Sequence, residues 1–261
     1  MVRWNRVLPA GFVTLVVLYL YAPIAVIVIF SFTTSPRLSM PIEGFTLDWY
    51  VSALSNPLIA TALRNSLVLA ATSAVLSGVM GVAFSFGLVA VRRAWLRSTL
   101  LAGSLLPAIV PLLVIGIALA VLFRAVGMPQ GLLNAAIGHM IVSLPFVVLT
   151  MNARLESFDF STLEAARDLG ASAWQAFRDI TFPLIRPSVI GAMLLAAALS
   201  LDEFVVTWFN IGNQQSVPVL VWGLMRRGVD PSINAIATIL LALLVCLVVA
   251  SNRLGRRNGA S

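Results

Sequence analysis

Long apolar runs alternate with short polar segments along most of the chain. Six runs approach the roughly 20 residues that a helix needs to cross the hydrocarbon core of a bilayer. They extend from about Val7 to Phe32, from Leu63 to just before Arg92, from Leu100 to Phe123, from Ala135 to Met151, from Ser188 to Ile211 and from Ile233 to Ser251. Pro107 and Pro111 lie inside the third and Pro145 inside the fourth. Each proline is expected to kink its helix, with neighbouring helices satisfying the freed carbonyls. The segment Val217 to Met225 is apolar but too short to span, and reads as a re-entrant piece or a cap on the outer mouth.

Composition strengthens this picture. The 261 residues are 60% hydrophobic and 10% charged, against about 25% charged in an ordinary soluble domain. The mean hydropathy of +0.99 is too high for a soluble core of this length. The first run is too long for a signal-peptide core and no small-residue cleavage site follows it, so it reads as a retained span. The expected fold is therefore an all-α polytopic membrane bundle of about six transmembrane helices, with residues 1–261 as a single domain.

A net charge of +7 would suggest nucleic acid in a soluble protein. Here the basic residues sit mostly between apolar runs, where they report topology, and no nucleic-acid partner is expected. With the N-terminus inside, the cytoplasmic segments hold Arg3, Arg6, Arg92, Arg93, Arg97, Arg154, Arg167, Arg178, Arg186, Arg253, Arg256 and Arg257. The outer segments hold Arg37, Arg64, Arg124, Arg226 and Arg227. Both termini should face the cytosol, with Arg226-Arg227 as an awkward outer pair.

Several chemistries drop out. Every basic residue is arginine, so the lysine of a nucleotide-binding P-loop is missing. Cys246 is the one cysteine, too few for a disulfide or a thiolate zinc site, and reads as a small packing residue. His139 is the one histidine, has no nucleophile motif near it, and reads as structural. No enzymatic site, metal site or bound cofactor is expected.

The loop between the fourth and fifth runs, about residues 154–187, is charged and ordered in pattern. Ser161-Thr162-Leu163-Glu164 reads as a capping box that starts a short helix, and Gly170 is placed to end it. Ser172-Ala173-Trp174-Gln175 reads as a second capping box, and its helix should stop before Pro183. Leu163, Ala166 and Leu169 share one side of the first helix. Trp174, Phe177 and Ile180 form an apolar stripe on the second. Such a stripe either packs on the chain's own spans or receives a partner.

Glu164-Ala165-Ala166, then Gly170, then Ile180 and Phe182-Pro183 resemble the EAA loop of ATP-binding-cassette importer permeases, with Phe182 where leucine is usual. Arg64-Asn65-Ser66-Leu67 resembles that family's usual opening of the second span. Ser200 to Val206, Val217 to Leu220, Met225 to Val229 and Pro231 to Thr238 resemble its spermidine/putrescine group, C-type permease subunit. The resemblance implies a MetI-like type I importer permease in a bacterial cytoplasmic membrane. It implies a second homologous permease, a pair of ATPase subunits that bind the ATP, and an extracytoplasmic solute-binding protein as partners. Glu164, Ala165, Ala166, Gly170, Ile180 and Pro183 would then form the surface that meets the ATPase. Relatives often carry an acid where Leu112 stands.

Asp202 and Glu203 follow thirteen apolar residues, Val189 to Leu201, which places them roughly 20 Å along a helix from the cytoplasmic end. An ionised side chain at such depth costs about 2.5–3.5 kcal/mol on insertion scales and normally faces a bundle interior or a wet path. Adjacent helical positions point about 100° apart, so one acid would meet a cationic solute while the other pairs with an arginine or a backbone amide. Trp208 could add an aromatic face for the cation. The alternative for this pair is a structural ion pair or gate latch. At the level of the whole chain, the alternatives are an ion-coupled carrier or an importer permease for an iron, amino-acid-like or opine-like solute.

Overall fold

A computed structural model describes residues 4–35, 41–226 and 231–257. They are helical almost throughout: α1 (Trp4–Phe30), α2 (Asp48–Ser55), α3 (Pro57–Ala90), α4 (Ala94–Ile109), α5 (Leu112–Ala125), α6 (Leu132–Glu156), α7 (Ser161–Asp168), α8 (Ala173–Ala176), a π-helical turn (Phe177–Thr181), α9 (Phe182–Asp202), α10 (Val205–Asn210), α11 (Val217–Met225) and α12 (Pro231–Arg257). Among the described residues the extended pairing is one isolated bridge, Thr33 with Phe45. Helices satisfy their own backbone groups, which hydrocarbon cannot do.

Among the described residues, four stretches are long and apolar enough to cross a membrane: Gly11–Phe30, Pro57–Ala90, Leu132–Glu156 and Ala173–Asp202. The third expected span is instead two helices, α4 and α5, set at 99° to each other. Pro111 causes the break. Val110 before it is forced into an extended conformation, ψ 133°, because a residue preceding proline is pushed out of the helical region. Pro107 and Pro145 sit inside α4 and α6 without ending them. The fifth run is also divided: α9 stops at Asp202, Glu203 is extended with ψ 108°, and α10 begins afresh at Val205. The sixth run lies within α12, where Ser232–Cys246 is an apolar stretch among the described residues. The segment Val217–Met225 is helical, and α2 adds a helix that the hydropathy pattern did not suggest.

The chain forms two compact units. One comprises Met1–Ala60 with Val221–Leu244. Within it the end of α1 is tied to α2: Trp49 Nε1 donates to the Thr33 carbonyl at 2.7 Å, and the Ser31 and Tyr50 hydroxyls lie 2.6 Å apart.

The other unit comprises Thr61–Leu220 with Val245–Ser261 and holds the larger core. Val147, Met151 and Leu155 of α6 pack on Ile185, Ala192 and Ala196 of α9. Ile115, Leu119 and Phe123 of α5 enclose Val206 of α10. A Cβ added at Gly138 would lie 2.5 Å from Val206 Cγ1, so only glycine there lets α10 approach α6 this closely. Small polar residues join α3 to α6, with Ser143 Oγ 3.1 Å from both Ser73 Oγ and Ser77 Oγ. Small residues and hydroxyls are the usual means of helix association where no hydrophobic drive operates between helices.

Candidate functional site

The segment after α6 is fastened at both ends. Glu156 Oε1 takes Arg97 at 3.1 Å and Asn152 Nδ2 at 3.0 Å, and the Arg154 guanidinium donates to the Leu184 carbonyl at 2.9 Å. Helix α7 starts at Ser161 as its sequence suggested, but by a different device. Ser161 is inside the helix, and Asp159 Oδ1 accepts its backbone N–H at 3.0 Å. The expected Ser161–Glu164 capping box is absent because an acceptor two residues upstream already serves the first amide. The same Ser161 contacts hold the Asp159 carboxyl below the usual carboxylate range.

Gly170 ends α7 with φ +92°, a region that residues with a side chain rarely adopt. Its N–H bonds the Arg167 carbonyl at 2.9 Å, and Ala171 N–H bonds the Ala166 carbonyl at 3.0 Å. This pair of bonds is the Schellman closure of a helix. The second capping box forms in full: Gln175 N–H donates to Ser172 Oγ at 3.2 Å, and Gln175 Oε1 accepts Ser172 N–H at 2.8 Å.

The helix that begins there does not stop before Pro183. It continues through the π turn into α9, giving a helical run from Ala173 to Asp202. The π turn explains the continuity. Phe182 N–H reaches back to the Phe177 carbonyl, one residue further than in an α-helix. Pro183 then falls in the first turn of α9, where its missing N–H is tolerated.

Of the nominated loop residues, Glu164, Ala165, Gly170 and Pro183 are exposed, while Ala166 and Ile180 are half-buried. Among the described residues the ion pairs are Arg97–Glu156 and Arg178–Asp179, so Glu164 and Arg167 point outward without one. The apolar stripe divides between the two fates considered for it. Phe177 meets Phe86 of α3 edge to face with ring centroids 5.8 Å apart, and Ile180 is half-buried. Trp174 is left 67% exposed, and Leu169, from the apolar side of the first helix, is 90% exposed.

The second cluster lies at the break between α9 and α10. Asp202 and Glu203 are not successive positions on one helix. Asp202 ends α9 and is exposed, whereas Glu203 is buried and turns its carboxylate onto α10, where Oε1 accepts Val206 N–H at 2.8 Å. Glu203 thus takes the backbone-amide partner that was one of the two expected for this pair. The main-chain carbonyl of Glu203 accepts the Thr207 hydroxyl at 2.7 Å. Trp208 is 46% exposed and tilts against Phe204 at 5.8 Å.

The sequence marks His139 as structural, and the buried imidazole lies in this cluster. Its Nδ1 is 2.6 Å from Ser200 Oγ and its Nε2 is 2.6 Å from Thr207 Oγ1. The signal was available only as three separated polar residues in apolar runs. Elsewhere in this unit a cavity of about 570 Å³ is lined by Ile117, Val121, Arg124, Met128, Gln130 and Phe209, among others, and by none of Asp202, Glu203 or Trp208.

Residues 79–258 match the family described as the binding-protein-dependent transport system inner membrane component. The spermidine/putrescine transport system permease protein PotC of Escherichia coli strain K12 is 36% identical over 255 residues, covering 97% of this chain and 95% of that one. The putrescine transport system permease protein PotI of the same strain is 34% identical over 230 residues, covering 85% and 82%. In fold, the chain is similar to a bacterial ABC transporter involved in the import of the acidic polysaccharide alginate, with a TM-score of 0.73 at 16% identity over 98% of this chain and 97% of that one.

Proposed function

Since the chain belongs to the family of inner-membrane components of binding-protein-dependent transport systems, we propose that it is the permease for a small organic cation of the polyamine class. The passage lies between this chain and a second homologous permease. A pair of ATPase subunits docks on residues 154–187, binds the nucleotide and supplies the work, and an extracytoplasmic binding protein delivers the solute. The chain itself catalyses no reaction.

One observation carries the choice of solute: Asp202, an exposed carboxylate, ends a 21-residue apolar helix. A carboxylate within a membrane-spanning run attracts an ammonium group by charge, and Trp208, on α10 beyond the helix break, offers a ring face to the same cation. Likeness to a spermidine/putrescine permease along nearly the whole chain supports the reading. Glu203 acts at one remove, by fixing the start of α10.

The loop fits the docking role on physical grounds. Glu164 and Arg167 are free for ionic contacts, Ala165 permits close approach, and Leu169 and Trp174 present apolar surface that a partner would cover. ATP closure of the partner pair would move this surface and switch the passage from outward to inward access, a two-state element biased by ligand.

The test is ATP-driven uptake of spermidine and putrescine by the assembled complex in vesicles, with Asp202→Asn beside the unaltered chain. Uptake should fall by about tenfold or more, as expected when a hydrogen bond to a charged group is lost, while the ATPase subunits still co-purify. Unchanged uptake would remove Asp202 from the solute path.

A further inference from the structure

The imidazole of His139 is 1% exposed and joins three helices. It projects from α6, holds Ser200 near the end of α9 through Nδ1, and holds Thr207 of α10 through Nε2. The hydroxyl hydrogen of Thr207 is already given to the Glu203 carbonyl. Its oxygen can therefore only accept from the ring, so Nε2 carries the proton and Nδ1 accepts from Ser200. The ring spans the helix break as a rigid planar link with a fixed direction at each end.

The two helices it joins differ greatly in independence. The helical run from Ala173 to Asp202 is 30 residues long, and its first turn belongs to the exposed loop. The short helix α10 has six residues, too few to hold a direction alone. Its orientation is set by what it packs on and is tied to: Val206 among Ile115, Leu119 and Phe123 of α5, Glu203 at its start, Asn210 Nδ2 on the Gly116 carbonyl at 3.1 Å, and His139, which bonds residues on both sides of the break. The ring bonds a residue on each side of the extended residue at 203 and so ties the end of α9 to α10 across the break.

We infer that His139 is a positioning residue, a joint that passes displacement of the 154–187 segment along α9 and across the break to α10, moving Trp208 relative to Asp202. The inference rests on the reading of that segment as the ATPase dock. It gives this chain's one histidine a role in coupling, not in contact with the solute.

The experiment uses the complete complex in vesicles and measures solute imported and ATP hydrolysed in the same sample. His139→Leu keeps apolar bulk and removes both bonds. It should lower solute moved per ATP by about fivefold, the scale of one buried hydrogen bond, with ATP hydrolysis per assembled complex nearly unchanged. Thr207→Val should give the same fall, and the double variant no further fall, because both remove one link. His139→Gln, whose amide can place a donor near the position of Nε2, should keep most of the ratio.

A purely structural role would reduce uptake and hydrolysis together in proportion to assembled complex, leaving the ratio untouched. That result, or a Gln variant as poor as Leu, overturns the joint. Thr207→Val supplies the same answer if the histidine variants fail to assemble. Failure of the permease reading looks different, since the unaltered complex would then hydrolyse ATP without importing anything.

Discussion

The side chain of Glu203 accepts the main-chain N–H of Val206 at 2.8 Å, so a buried acid caps the helix that follows it. Replacing it separates the acceptor from the charge. Glu203→Gln keeps an acceptor oxygen and should leave the thermal midpoint of the complex almost unchanged. Glu203→Ala removes the cap, costing about 1 kcal/mol, and should lower the midpoint by roughly 2–4 °C. Both midpoints can be read from tryptophan fluorescence during heating in detergent. Equal loss in the two variants would mean that the charge, not the cap, matters there.

At Gly170 the constraint is the backbone alone, since a Cβ there would meet nothing within 4 Å. Gly170→Ala places a side chain at φ +92°, at a cost of about 1–2 kcal/mol. Helix α7 should fray at its end, shown by faster amide exchange at residues 166–171, and ATPase co-purification should weaken. Gly170→Asn should be milder, because asparagine tolerates left-handed conformations better.

Trp174 separates docking from folding. It is 67% exposed and stacks on Phe177, at 5.9 Å between centroids. Trp174→Ala should scarcely alter the thermal midpoint of the isolated chain. Its affinity for the ATPase subunits should fall by about 30-fold, the loss of roughly 2 kcal/mol typical of an aromatic anchor in an interface. Undiminished binding would place the dock elsewhere.

The start of α7 should respond to acid. Its cap is Asp159, whose carboxyl titrates lower in the folded chain than the ordinary value of 3.8. A depressed folded value means that the cap's contribution is complete above that ordinary value. It is lost as the pH falls through the lower folded one. Exchange protection at residues 161–164, corrected for intrinsic rates, should hold at pH 5 and decline below about pH 3.8. Asp159→Ala should abolish the pH-dependent part.

Much of this was legible in the chain. The alternation of apolar runs with arginine-bearing segments located the long helices, because hydrocarbon demands length and self-satisfied backbone. Gly170 and the Ser172–Gln175 box were readable because turns and caps are local. Local rules failed where two acceptors competed, as when Asp159 displaced Ser161 as the cap of α7. Proline was ambiguous for the same reason. Pro111 breaks a helix, whereas Pro183 is absorbed by a π turn formed upstream of it.

The break at Glu203 was hidden because its cause is tertiary. Hydropathy is uniform on either side, and only the fold brings the carboxylate to Val206 and His139 to Ser200 and Thr207. A lone histidine in an apolar run carries no signal until its partners are adjacent. Gly138 is part of that story, since it sets how near α10 comes to the neighbouring imidazole.

The most direct measurement is polyamine uptake into vesicles carrying this chain and its partner permease, with the ATPase subunits present or omitted. Binding protein and ATP are supplied on their proper sides. The account requires uptake only when the ATPases are present, and its loss when residues 164–170 can no longer engage them. Uptake of the same solute at the same rate by the permease pair alone would contradict it.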